Sequence, residues 1–243
     1  MTYDARLTSG FVPRSTRRKA RAGLSFSGGL KIAKEPSKKR AVTFVDGQNL
    51  FHAAREVFGY TYPNYDVTAL ARNICRVQEW SVEQVRFYTG TPNPADDPFW
   101  SHFWETKLRV MTWHGVAVYS RPLRYRERSV KLPDGSEHIF TTGEEKGIDV
   151  RIAIDVIRMA LRDQYDVALI LSQDQDLSEV AEEIRVIAHE RDRWIKIASA
   201  FPSSDDSTKT RGINKTDWIR IDRTLYDQCI DKRDYRREGN KRQ

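Results

Sequence analysis

Residues 41–49 read AVTFVDGQN. Five apolar or β-branched residues closed by an acid, a glycine and two amides have the length and composition of a strand buried on both faces, as at the centre of a parallel sheet. Asp46 then stands at the strand's carboxyl end. Open α/β sheets bind ligands at that edge, because the loops diverge there and leave a crevice. Taken alone, this stretch makes Asp46 either a site carboxylate or the cap of a helix expected from Leu50 to Phe58. Gly47 permits a sharp turn, and Asn49 can bond the loop or lead the helix. Further acids arriving at the same edge would decide for a site.

Working outward, Gly59 ends the first helix and is followed by an aromatic loop, Tyr60, Tyr62, Pro63 and Tyr65, read as packing rather than base stacking. Asp66 caps a helix with Val67, Leu70, Ala71, Ile74 and Cys75 at helical spacing. A second strand is expected over 82–88, then a loop over 89–97. Asp97 and Pro98 open a helix over 99–112, with Trp100, Phe103, Trp104 and Leu108 as its core stripe. A third strand follows at 115–119. Residues 131–138 contain Pro-Asp-Gly-Ser, the turn of a hairpin. That hairpin, with Arg121, Arg124, Arg126, Arg128 and Lys131 beside Tyr125, either grips a phosphate backbone or is a charged edge that blocks sheet-to-sheet pairing. A helix over 148–161 is apolar almost all round, so burial between sheet and neighbours is expected. Strands at 166–172 and 195–199 and an edge strand at 218–221 complete an α/β fold. It is a three-layer, Rossmann-like arrangement of a mainly parallel sheet with helices on both faces.

Two later stretches bring acids back to the sheet edge. In EEKGIDVRIAID, Asp149 lies in the first turn of the helix after Gly147, where the dipole also favours an acid. Asp155 points roughly 120° away from it, at about 100° per residue, so the two are not expected to share an ion. Arg151, one turn earlier, is a plain partner for Asp155. The buried strand DVALILS ends in Gln173, Asp174, Gln175 and Asp176, two acids where one cap is needed. Clustered carboxylates repel unless a cation neutralises them, and oxygen-only donors suit Mg²⁺ or Mn²⁺ rather than Zn²⁺. His52, His102, His114, His138 and His189 form no ligand spacing.

The charge is uneven. Residues 1–40 hold 11 bases against 2 acids and residues 232–243 hold 6 against 2, leaving 24 against 30 between them. This gives a basic N-terminal arm over 1–40, expected to be disordered, an acidic domain over 41–231, and a basic tail over 232–243. Basic ends suggest an anionic polymer, here nucleic acid, as partner, the alternative being solvated tails with no partner. Two cysteines allow one disulfide at most, and Cys75 reads as a buried thiol. No apolar run reaches the roughly 20 residues of a membrane helix, and there is no secretory apolar region, so the expectation is a cytoplasmic protein.

VDGQN, EKGIDVRIAID and LSQDQDL, in this order and spacing, resemble the three motifs of the NYN family, metal-dependent ribonucleases of the PIN-like superfamily. The similarity runs from about residue 40 to 221. It implies Asp46, Asp149 and Asp174 as metal carboxylates, Asp176 completing the cluster, and Asn49, Lys146 and Ser172 in support; Asp155, inside the helix, is a further supporting candidate on its own position, with pairing to Arg151 as the alternative. Gln173 departs from the small residue usual before the first acid of the last motif, which bears on the local loop shape. The implied activity is endonucleolytic hydrolysis of single-stranded or loop RNA with Mg²⁺ or Mn²⁺, leaving 5′-phosphate and 3′-hydroxyl ends. A non-catalytic nucleic-acid-binding module of the same fold is the alternative, and a homo-oligomer or a regulatory protein partner is compatible with either. A phosphatase of the haloacid dehalogenase type would need an acid two residues after Asp46, where Gln48 stands.

Overall fold

The structure is a computed structural model that describes residues 33–206 and 211–236. The expectation for residues 1–40 therefore falls almost wholly outside the described residues, as does the end of the basic tail. In chain order the elements are β1 (Lys39–Asp46), α1 (Gly47–Phe58), α2 (Val67–Val77), β2 (Trp80–Thr91), α3 (Pro98–Trp113), β3 (Ala117–Pro122), β4 (Arg124–Lys131), β5 (Glu137–Glu144), α4 (Ile148–Leu161), β6 (Val167–Leu171), α5 (Ser178–Glu190), β7 (Lys196–Pro202), β8 (Asp217–Ile221) and α6 (Arg223–Asp227). A single 3₁₀ turn, Gln175–Leu177, precedes α5.

Six strands form one sheet in the order β3-β2-β1-β6-β7-β8, every neighbouring pair parallel. The chain builds outward from β1 on one side and then returns to lay β6 on the other. The carboxyl ends of β1 and β6 thus flank the point where strand order reverses, the usual ligand crevice of such sheets. Side chains alternate across the sheet as the pleat demands. Ala41 and Val45 of β1 and Val167, Leu169 and Leu171 of β6 face one core, shared with α1, α2 and α3. Val42, Phe44, Ala168 and Ile170 face the other, under α4 and α5. This is the three-layer architecture expected from the sequence. Cys75 and Cys229 are free and buried, and burial pushes the Cys75 thiol up to about 12.

Several boundaries move. Helix α1 begins at Gly47, three residues before the expected start, because the Asp46 side chain caps it by accepting from the Asn49 N–H at 3.0 Å. Gly47 is needed for close approach rather than for a turn: a Cβ there would lie 2.4 Å from Phe87 Cζ. Strands β2 and β3 run on to Thr91 and Pro122, since the ladder between them continues through Thr89–Ser120 and Gly90–Arg121. Helix α4 is not buried all round: Val150 and Ile154 are about half exposed. Only the face under the sheet is covered, by Ile148, Ile152, Val156 and Met159. The aromatic loop packs as expected, with Tyr65 fully buried and Tyr60 stacked on Tyr226 at 5.3 Å. The described part of the basic tail is fastened to α3: Tyr235 is buried with its ring 5.9 Å from Phe103.

Candidate active site at the carboxyl edge of the sheet

A crevice of about 370 Å³ opens at the carboxyl edge, and Asp46, Asn49, Glu145, Lys146, Asp149 and Asp174 are among its walls. Asp46 comes from the end of β1, Asp174 from the turn after β6, and Asp149 from the first turn of α4. Three elements far apart in sequence are brought together by one reversal of strand order.

Short bonds preset this edge. Ser172, buried at the end of β6, donates its hydroxyl to Asp46 Oδ2 at 3.3 Å and accepts the Asp174 N–H at 3.1 Å. Asn49 Oδ1 accepts the Gln173 N–H at 2.8 Å, tying α1 to the loop after β6. Gln173 in turn donates its side-chain amide to the Arg211 carbonyl at 2.8 Å. The residue that departs from the family pattern therefore anchors the Arg211–Gly212 segment to this edge.

Electrostatics mark the crevice. Burial, followed by the negative charges of Asp174 and Asp149, pushes the Asp46 carboxyl up to about 6, against the bonds from Asn49 and Ser172. Among the described residues, no ion pair is made by Asp46, Asp149 or Asp174. Glu145, which sequence reasoning passed over, is a fourth carboxylate of the site. Its Oε2 accepts the Gly90 N–H at 2.6 Å, and burial, with the charges of Asp46 and Asp149, pushes it up to about 7. Its place immediately before Lys146 in the EKGID stretch was the available signal. Gln48 and His52, one turn apart on α1, also line the crevice.

Other expected site residues are placed elsewhere. Asp155 points into the α4 interface, where Arg86, Arg151 and Arg158 bond it at 2.8, 3.1 and 3.2 Å and Tyr88 donates at 3.0 Å. It is a fully buried structural carboxylate and does not support the crevice. Asp176 is exposed and is not part of the crevice wall; its N–H donates to Asp174 Oδ1 at 3.0 Å. Lys146 lines the crevice with Nζ 3.6 Å from Glu144. Arg126 and Arg128 are not free cations either, since both pair with Glu144 across the hairpin. Arg121 borders the crevice at Gly147, where a Cβ would lie 3.0 Å from its Nη1. Arg124 and Lys131 are exposed on β4, Lys131 at its far end.

Among the described residues, no three His, Cys, Asp or Glu side chains stand close enough to grip one ion directly. The donor set is nevertheless all hard oxygen and carries excess negative charge. It fits a Mg²⁺-like ion, which keeps several waters between itself and its protein ligands.

A six-stranded parallel sheet with helices on both faces is consistent with a PIN-like fold. The NYN domain model matches residues 40–210, and the chain belongs to that family. PIN-like nucleases typically use divalent metals. A protein of unknown function from Vibrio parahaemolyticus is similar in structure: 21% identical, covering 81% of this chain and 99% of its own, with a TM-score of 0.49. Ribokinase from Giardia lamblia is 8% identical over 71% of this chain and 53% of its own, TM-score 0.35. MurG from Acinetobacter baumannii is 10% identical over 75% and 45%, TM-score 0.30. No curated protein matches the chain. Among the described residues, no helix is long and apolar enough to cross a membrane.

Proposed function

We propose that this protein is a metal-dependent endoribonuclease that hydrolyses phosphodiester bonds in single-stranded or loop RNA, leaving 5′-phosphate and 3′-hydroxyl ends. One observation carries the reading. Asp46 is buried, held by two hydrogen bonds, and kept beside Asp149 and Asp174 at a cost to its own ionisation. A fold tolerates that repulsion where a cation relieves it.

Asp46, Asp149 and Asp174 would hold Mg²⁺ or Mn²⁺, with Asn49 and Ser172 fixing Asp46 and the loop after β6. Such an ion supplies positive charge to a scissile phosphate and lowers the pKa of water there. Glu145, pushed up to about 7, is able to take up or release a proton near neutrality, the property required of a general acid or base. Lys146 and Arg121 stand where they would meet the RNA backbone beside the carboxylates. Arg124 and Lys131, with Arg126 and Arg128 sharing Glu144, would give a weaker outer contact. Asp174 caps the 3₁₀ turn after β6, its Oδ1 accepting the Asp176 N–H, so Asp176 would contribute only through Asp174's orientation.

The experiment is digestion of unpaired and duplex RNA in Mg²⁺, in Mn²⁺ and in EDTA, with both product ends identified. Cleavage of the unpaired RNA, 5′-phosphate ends and loss of activity in EDTA are expected. A 2′,3′-cyclic phosphate as main product, or full activity in EDTA, would overturn the reading.

A further inference from the structure

A second cavity, of about 550 Å³, lies between the β2–α3 loop, α3, the end of β3 and the base of the hairpin. It is large enough for a nucleoside, since ligand cavities start near about 300 Å³. Its position is tied to the carboxylate crevice through one residue. A Cβ at Gly90 would lie 2.5 Å from Leu123 Cδ2 and 2.9 Å from Glu145 Oε2. Leu123 is a wall of the cavity and Glu145 a wall of the crevice, so the two spaces stand back to back across Gly90. Strand alternation adds a second link. Pro122 at the end of β3 faces the cavity, whereas its neighbour Arg121 reaches Gly147 at the crevice. Adjacent residues at the end of β3 thus lead to the two spaces, Arg121 to the crevice and Pro122 to the cavity.

The walls suit a flat aromatic ring with a polar edge. Tyr125 is held at its hydroxyl end, which accepts the Asn93 N–H at 3.1 Å, and its ring passes close to Gly143, where a Cβ would lie 3.2 Å from Cε1. The Tyr125 ring offers a flat face suited to stacking on a base, with Pro122 and Leu123 as apolar walls beside it. Among the polar lining groups, Glu105, which pairs with Arg109 through one oxygen, offers an acceptor with the other, and the Asn93 side chain offers an amide donor. We infer that this cavity is a nucleobase subsite, taking one unstacked base of the RNA strand whose backbone crosses Arg121 to the carboxylates. The inference rests on the nuclease reading above for its substrate. It deepens that reading by giving a reason for unpaired RNA: a base held in a duplex cannot enter.

The test uses the full chain carrying Asp174→Asn, with short unpaired RNAs that hold 2-aminopurine at one position at a time. Binding is expected to change the emission at one or two adjoining positions only, and Tyr125→Ala to abolish that change. Because Tyr125→Ala could disturb the hairpin, Ser101→Phe fills the cavity from α3 instead and is expected to abolish it as well. Placed in the active protein, Ser101→Phe is expected to raise KM about tenfold or more with kcat little changed. Equal or absent emission changes along the strand, or an unaltered KM in Ser101→Phe, would overturn the subsite, and a cavity that takes a peptide would give that result. A position-specific change in a protein whose wild type does not cut RNA would uphold the subsite and sink the nuclease reading. Cleavage without any position-specific change would do the reverse.

Discussion

Asp46 and Asp155 are both buried aspartates, 6% and 0% exposed, and both belong to acid-bearing motifs of the chain. Their surroundings are opposite. Burial by itself would raise Asp155, but bonds from Arg151, Arg86 and Tyr88 outweigh it and hold the carboxyl below its ordinary value. At Asp46 burial prevails, reinforced by two further acids, and the carboxyl rises to about 6. A carboxylate that brings its own cations has had its charge balanced by the fold. One held among other acids, with its charge unmatched, is where a cation from outside would relieve the repulsion.

The sharpest way to break this contrast is by activity. Asp46→Asn, Asp149→Asn and Asp174→Asn are each expected to lower RNA cleavage by about 100-fold or more, with double variants little worse than singles because the groups act as a unit. Asp155→Asn is expected to keep its rate per folded molecule. Single-turnover rates normalised to the folded fraction check both, and a site variant with near wild-type cleavage would remove that residue from the assignment.

Stability should then run the other way. Asp155→Asn leaves Arg86, Arg151 and Arg158 without their shared anion, and a loss of about 2–3 kcal/mol is expected, at the low end for a broken buried pair because those arginines keep part of their water. Asp46→Asn removes a poorly solvated charge while its amide can still meet Asn49 and Ser172. It is expected to stabilise the protein in EDTA, by about 1 kcal/mol. Urea unfolding of both variants in EDTA measures the pair. A destabilised Asp46→Asn would mean that its hydrogen bonds outweigh its charge.

The contrast extends to pH. The folded-state values of Asp46 and Glu145, about 6 and about 7, lie above their ordinary 3.8 and 4.5, so the native state binds protons more readily than the unfolded one. In EDTA, stability should therefore rise as pH falls from about 7 towards 5. Asp155, held below its ordinary value, contributes stability that is lost only at lower pH, as the solution falls through its folded pKa. Tm measured against pH in wild type and Asp46→Asn separates the two, since the variant should show a shallower rise. An identical profile would mean that Asp46 is not the source.

The NYN resemblance was legible because its three motifs are local words: an apolar strand ending in an acid, a helix entered through glycine, and a second strand ending in acids. The same locality explains the caps at Asp66 and Asp97, each satisfied by N–H groups two or three residues on. What could not be read was which acid meets which base. Asp155 has Arg151 as a neighbour at helical spacing, but its bond to Arg86 crosses from β2 to α4, 69 residues apart. That Arg126 and Arg128 both pair with Glu144 depends on the hairpin register, which no local pattern specifies. Glu145 looked like one acid in a charged run, and only its bond to Gly90 turns it into the crevice.

By itself the sequence determined the α/β layering, the central strand and the three stretches that carry Asp46, Asp149 and Asp174, because periodicity and capping act over a few residues. Only the tertiary structure decided that Asp155 is a structural anion, that Asp176 stands outside the crevice, that Glu145 belongs in it, and that a second cavity adjoins it across Gly90. Those outcomes depend on charge pairing and contact between segments far apart in the chain, which packing settles and local pattern does not encode.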